Sequence, residues 1–175
     1  MTFTIETKSP AETKRLGERL ARLLRPGDVV LLQGELGAGK TCLAQGIGRG
    51  LRVAEAVKSS SFVLVNEYNG RMHVHHADLF RLEDPGEVAD LGLEENARDG
   101  LLLVEWPDRA PAELPPEHLL VRFEILDDRR RGIELSGRGE RYEVLVEELS
   151  RALGPGTRAL PDPRLKTGAA GEMDR

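Results

Sequence analysis

Several things are scarce in this chain, and each scarcity narrows what it can be. It has a single cysteine, Cys42, in 175 residues. No disulfide framework can form from one thiol, which fits a reducing compartment. Aromatics make up 4% of the sequence: one Trp, two Tyr and four Phe. Serial stacking of bases on aromatic rings is not an evident theme. Nor is there an excess of positive charge, since 25 Lys and Arg stand against 30 Asp and Glu, a formal net charge of -5. A protein that grips nucleic acid by charge alone is not expected from that balance. No apolar run approaches the roughly 20 residues that cross a bilayer. Met1-Thr2-Phe3-Thr4-Ile5-Glu6 lacks a basic segment leading into an apolar one, so no signal peptide is expected. The expectation is a soluble, cytoplasmic chain, long enough for one domain with a sizeable core.

What is present centres on Gly34-Glu35-Leu36-Gly37-Ala38-Gly39-Lys40-Thr41. The spacing G-x-x-x-x-G-K-T, after the apolar run Val29 to Leu32 and before a helical segment from Cys42 to Leu51, is that of a phosphate-binding loop. Glycines let successive backbone N–H groups point inward at phosphate oxygens, and the helix that follows adds the positive end of its dipole. The candidate nucleotide contacts are therefore Glu35, Leu36, Gly37, Ala38, Gly39, Lys40, Thr41 and Cys42. Lys40 is suited to the β- and γ-phosphates, and the Thr41 hydroxyl to magnesium. A glycine-rich strand-to-helix turn that binds nothing is the plain alternative, and the strand before and helix after weigh against it.

The rest of the chain reads as alternating strands and helices. Phe3 to Thr7 alternates like a short strand. Ser9-Pro10-Ala11-Glu12 is a capping box with proline at the first helical position, and Leu16, Leu20, Leu23 and Leu24 follow at helical spacing. Pro26-Gly27-Asp28 turns into the strand before the loop, and Gly48 and Gly50 are expected to close the next helix. Phe62 to Tyr68 and Arg71 to Ala77 read as strands joined by a two-residue hairpin at Asn69-Gly70. Asp84-Pro85-Gly86-Glu87 caps a short helix to about Leu91, and Glu94 to Arg98 offers another turn or two. The continuous apolar runs Leu101 to Val104 and Val29 to Leu32 suit central strands covered on both faces. A proline-rich connector, Pro107 to Pro116, leads to strands at His118 to Leu126 and Ile133 to Ser136 around an Asp127 to Gly132 turn. A last helix spans Tyr142 to Leu153. After Gly154 the sequence loses periodicity and reads as a disordered tail, leaving residues 1–153 as the domain. No internal repeat appears.

A phosphate loop needs an acidic partner for magnesium, commonly at the C-terminal end of a nearby apolar strand. Glu105, after Leu101-Leu102-Leu103-Val104, fits that place, although it would also mark the point where a strand meets water. Asp78, at the end of His73-Val74-His75-His76-Ala77, suits orienting or deprotonating an attacking water, or ligating the metal through water. A helix or turn cap is the alternative. The three histidines also invite a metal reading. On a strand, however, His73 and His75 share one face while His76 and Asp78 share the other, which gives two pairs rather than the four ligands of a structural zinc site. Ser59-Ser60-Ser61 is either a polar loop or a switch-like source of hydroxyls. Arg129-Arg130-Arg131 reads as a solvated hairpin tip.

With these pieces in order the chain resembles the TsaE family, formerly YjeE, small bacterial ATPases of tRNA threonylcarbamoyladenosine synthesis. The resemblance rests on Gly34 to Thr41, on Ser59 to Tyr68, on His76-Ala77-Asp78-Leu79-Phe80-Arg81-Leu82, on Leu103 to Pro107, and on Glu12 to Gly17. It implies ATP as the nucleotide with Mg2+, Thr41 and Glu105 as magnesium ligands, and Asp78 acting near the γ-phosphate. It further implies Trp106 close to the nucleotide, Thr13 near the adenine, and TsaB and TsaD as partners. Guanine reading is disfavoured independently, because none of the five lysines has an aspartate two places on, as the guanine signature requires. The sequence departs from the family at Ser60 for proline, Ser61 for threonine, Phe80 for tyrosine and Cys42 for a second hydroxyl residue, none of which the phosphate chemistry needs.

The expected fold is α/β, a P-loop NTPase-like three-layer domain with a mixed, mainly parallel central sheet. The expected activity is slow, magnesium-dependent ATP hydrolysis within a tRNA-modifying assembly, with tRNA engaged only through that assembly. A small-molecule kinase and a non-hydrolysing nucleotide-dependent scaffold are the alternatives.

Overall fold

The computed structural model describes residues 1–58 and 65–154. The expectations for Ser59 to Ser61, for the start of the Phe62 strand and for the tail after Gly154 lie outside the described residues. In chain order the elements are β1 (Thr2–Thr7), α1 (Pro10–Ala21), β2 (Val29–Gln33), α2 (Lys40–Gly50), β3 (Val65–Asn69), β4 (His73–Asp78), α3 (Glu87–Asp90), α4 (Leu93–Asp99), β5 (Gly100–Glu105), β6 (His118–Ile125), β7 (Arg131–Arg138) and α5 (Glu140–Leu153). Two short 3-10 turns, Pro107–Arg109 and Pro111–Glu113, break up the proline-rich connector.

The two apolar runs lie in the middle of one sheet, as continuous apolar strands should. Strand order is β1-β7-β6-β2-β5-β4-β3. The central strands β6, β2, β5 and β4 are mutually parallel, while β7 and β3 pair antiparallel to them. Alternate residues of β2 and β5 then belong to different cores. Val30, Leu32, Leu101 and Leu103 pack with Leu16 and Leu20 of α1, Leu43 and Ile47 of α2 and Leu145 of α5. Val29, Leu31, Leu102 and Val104 pack with Val88, Leu93 and Ala97 of α3 and α4. This is the three-layer arrangement expected, a mixed sheet with helices on both faces. Among the described residues no helix is long and apolar enough to cross a membrane.

Local chemistry explains most boundaries. Ser9 Oγ accepts the Glu12 N–H at 3.2 Å, and Glu12 Oε2 accepts the Lys8 N–H at 2.7 Å, a capping box whose return bond falls one residue early. Helices α1 and α2 cross so closely that a Cβ on Gly46 would lie 2.1 Å from the Lys14 carbonyl oxygen. Gly48 and Gly50 sit inside the last turn of α2 instead of ending it, and Gly50 abuts Ala21. Their role is close packing, where capping was expected.

The Asn69-Gly70 hairpin forms with a longer turn than its sequence implied. Asn69 pairs with His73, so Gly70, Arg71 and Met72 make a three-residue loop. Gly70 does not take the positive φ that a two-residue turn demands. A side chain there would strike the Leu51 carbonyl oxygen at 2.4 Å, so the C-terminus of α2 sets the loop. The second hairpin is tied by Asp127, which accepts the N–H groups of Arg129 and Arg130 and the Arg130 guanidinium. The Arg130 side chain first, then those two backbone N–H groups, hold the Asp127 carboxyl down at about 2. Helix α5 is anchored at the other end of β2. There the Val29 N–H donates to the Tyr142 hydroxyl at 2.8 Å, and Arg141 grips Asp28 through Nε and Nη2 at 3.0 and 2.7 Å.

Candidate functional site

Parallel central strands bring their C-terminal ends to one edge, and three of them converge on the loop. β2 leads into Gly34, β4 ends in Asp78 and β5 in Glu105. Register places Leu32 beside Glu105, and Glu105 beside Asp78. The sequence had put these residues some 30 to 70 positions apart; the sheet puts them side by side, at the edge where ligands bind in open α/β folds.

The loop turns through two positive-φ glycines, Gly37 at 77° and Gly39 at 109°, a region that side-chain-bearing residues rarely enter. Gly39 is the N-cap of α2 and offers no side-chain cap. The N–H groups of the first turn have no intrahelical acceptor, so α2 presents donors and its positive dipole end to the cleft before it. Leu36 projects outward, while Ala38 is packed in the core. The cleft, of about 290 Å3, is lined from Leu36 to Cys42 and by Asp78, Phe80, Arg81, Glu105 and Trp106.

Lys40 is nearly buried. Its ammonium donates to the carbonyls of Gly34 and Glu35 at 2.6 and 2.8 Å and sits 4.2 Å from the centre of the Trp106 ring. Burial pulls its pKa below the usual lysine value, and the nearby carboxylates of Glu105, Asp78 and Asp108 oppose that shift. An anionic phosphate is a stronger partner for this cation than two neutral carbonyls.

The Thr41 hydroxyl donates to Glu105 Oε1 at 3.4 Å. The same carboxylate oxygen accepts from His76 Nε2 at 2.9 Å, with both side chains buried. An ionised carboxylate is acceptor-only, so the ring donates from Nε2. His76 thereby fixes the orientation of Glu105 toward Thr41. This partner was missed as such: the sequence showed that His76 shares a strand face with Asp78, but not that β5 would bring Glu105 alongside. Asp78 is also buried, and its Oδ1 accepts the Phe80 N–H at 3.0 Å.

After Glu105 the chain reverses sharply, because Trp106 adopts φ 59° and ψ 50°. Its N–H still reaches the Leu32 carbonyl, and its ring meets Phe80 with centroids 4.9 Å apart. The Arg109 guanidinium lies 5.6 Å from the Phe80 ring and 5.9 Å from the Trp106 ring. Only proximity to Trp106-Pro107 in the sequence could have pointed to Arg109. Thr13 lies behind the loop. Its hydroxyl is engaged by Thr7 Oγ1 at 2.8 Å, and its methyl faces the position a Gly39 side chain would take. It does not line the described cleft. Arg131, expected at a solvated tip, reaches back to the Gly37 carbonyl at 3.3 Å.

Comparison with known proteins places the fold and the family. The family model described as "Threonylcarbamoyl adenosine biosynthesis protein TsaE" matches residues 7–133. The chain is 42% identical over 147 residues to the tRNA threonylcarbamoyladenosine biosynthesis protein TsaE of Bacillus subtilis, covering 83% of this chain and 92% of that one. It is 36% identical to the protein of the same name from Treponema pallidum, covering 74% and 97%. The crystal structure of YdiB from Bacillus subtilis superposes with a TM-score of 0.74 at 35% identity, covering 88% of this chain and 97% of that one.

Proposed function

The chain belongs to the TsaE family, and from that premise we propose that it is a magnesium-dependent ATPase of the assembly that forms N6-threonylcarbamoyladenosine at position 37 of tRNAs reading codons that start with A. The observation that carries this reading is the convergence of Lys40, Thr41, Asp78 and Glu105 on one cleft at the head of α2. The donor set fits magnesium: a hydroxyl and a carboxylate are hard oxygen ligands, already paired at 3.4 Å. Bound there, the ion supplies positive charge to the phosphate oxygens.

The protein's own groups divide the remaining work. Lys40 and the first N–H groups of α2 hold the phosphates. His76 keeps Glu105 turned toward Thr41. Asp78 orients the attacking water and takes its proton. Trp106 and Phe80 form an apolar wall that limits water on that side of the cleft. TsaB and TsaD are the proposed protein partners, and nucleotide state sets affinity for them, with the reciprocal effect that linkage requires.

The test separates the two acids. Asp78→Asn keeps shape and loses basicity, so ATP binding should persist while turnover, measured with TsaB, TsaD and tRNA present, falls about 10²- to 10⁴-fold. Glu105→Gln should weaken binding only when magnesium is present. The reverse pattern would exchange the two roles, and no turnover in wild type under any condition would leave a nucleotide-sensing scaffold.

A further inference from the structure

We propose that Glu67, His73 and His75 form a binding site for a zinc-type divalent transition-metal ion on the sheet face opposite the nucleotide cleft. In sequence the histidines gave only two-ligand pairs. Strand pairing supplies a third ligand. In the β3–β4 hairpin Glu67 stands directly opposite His75, and Asn69 opposite His73, so all four side chains share one face. That face is the one carrying Ala77 and Val65 into the core under α3 and α4. His76, Glu105 and Thr41 are on the other.

One ligand atom from each of Glu67, His73 and His75 lies within 4.8 Å of the other two, and among the described residues this is the only group of three or more metal-ligating side chains that converges in this way. Glu67 Oε2 is 3.7 Å from His73 Nε2, and Glu67 Oε1 is 3.7 Å from His75 Nδ1. Tetrahedral zinc with bonds of about 2.0–2.1 Å sets its ligand atoms about 3.3 Å apart, so binding would draw the three side chains inward from a spacing that now lies within 4.8 Å.

Two independent features point at an ion. The His75 side chain is 7% exposed, and its Nδ1 has no hydrogen-bond partner among the described residues. A buried polar nitrogen left in that condition is costly, and a metal ion would satisfy it. His73 Nδ1 meets Asn69 Oδ1 at 2.7 Å. With the amide oxygen accepting, the ring donates from Nδ1 and keeps a lone pair on Nε2, the atom that faces Glu67. A ligating histidine is commonly fixed by such an outer-shell hydrogen bond. The Glu67 side chain is 61% exposed, giving the ion a path and leaving room for water as fourth ligand. Two imidazoles and a carboxylate suit zinc and its neighbours better than magnesium. The ion would clasp β3, the edge strand, to β4.

The experiment is titration of tag-free, chelator-treated protein with Zn2+ by calorimetry, and with Co2+ by visible absorption. Expected are one ion per chain, tetrahedral cobalt bands, and a zinc-induced rise in melting temperature. Saturating MgATP should not displace the ion. His75→Ala should abolish binding, and Asn69→Ala should weaken it about 10- to 100-fold. Should His75→Ala fail to fold, Glu67→Gln, at an exposed strand position, carries the same test. Absence of saturable zinc binding in wild type would overturn the proposal. So would binding that survives Glu67→Gln and His75→Ala, or zinc that MgATP displaces, which would put the ion in the cleft. None of these results touches the ATPase reading, whose residues lie across the sheet.

Discussion

Among the described residues lining the cleft, Lys40 carries the only ammonium, and its surroundings are arranged for an anion. It is desolvated enough to be pulled below the ordinary lysine pKa, yet Glu105, Asp78 and Asp108 hold it back toward the charged form. Its two present acceptors are neutral backbone carbonyls. Charge-assisted hydrogen bonds contribute about 1.5–3 kcal/mol, so Lys40→Ala should raise the ATP dissociation constant about tenfold to 150-fold. Calorimetric titration with ATP and magnesium reads this directly. An unchanged constant would remove the centre of the functional reading. The same scale holds the pairing of His76 with Glu105, in which one buried ring decides where a buried carboxylate points.

Two helices are fixed at opposite ends of β2, α2 at the loop and α5 at Asp28–Val29, and each makes its own prediction. The crossing of α1 and α2 depends on Gly46, where an added methyl would meet the Lys14 backbone rather than a side chain able to swing away. Gly46→Ala should therefore cost about 1–3 kcal/mol through overpacking, or about 2–12 °C in melting temperature at this chain length. Because α2 starts at Lys40, the displaced helix should also weaken ATP binding. At the far end, Tyr142→Phe leaves the buried Val29 N–H without its acceptor, a loss of about 1–3 kcal/mol. Four residue steps of β2 separate Val29 from the loop end, about 13 Å at strand rise, so Tyr142→Phe should lower the melting temperature and leave ATP affinity alone. Thermal unfolding and ATP titration of both variants distinguish a helix that places the site from one that only stabilises the sheet.

At the scale of the whole molecule the charge balance matters most. With a formal net charge of -5, the isolated chain should bind tRNA weakly at physiological salt, since phosphate contacts by Lys and Arg dominate such affinities. The arginines at the β6–β7 tip do not change this. Arg130 is committed to Asp127 and Glu6, and Arg131 to backbone carbonyls, that of Gly37 included. Filter binding with tRNA should show weak retention by the chain alone. ATPase assays should show faster turnover when TsaB and TsaD are added, because charge building on the γ-phosphate in the transition state is often met by groups supplied in trans. Tight tRNA binding by the chain alone, with turnover indifferent to the partners, would defeat the proposed division of labour.

The sequence by itself determined the local grammar. The glycine spacing of Gly34 to Thr41 requires the turn that places donors ahead of α2, and the uninterrupted apolar runs of β2 and β5 require burial on both faces. Asp78 and Glu105 were legible because each closes a strand, and in parallel strands those ends share an edge. Pairings between distant strands were not legible, because periodicity gives the faces of a strand but not its neighbour. Tertiary structure alone decided that Glu105 would lie beside His76, that Trp106 would cover Lys40, and that Arg131 would reach Gly37. It also lengthened the Asn69-Gly70 turn, where the Leu51 carbonyl at the end of α2 accepts the Arg71 N–H and leaves no room for a side chain at Gly70, and it turned Gly48 and Gly50 from helix-closing residues into packing surfaces. Glu67 shows the same limit. Nothing in its own sequence context marks it as a ligand, and only the antiparallel register of β3 against β4 sets its carboxylate between two histidines.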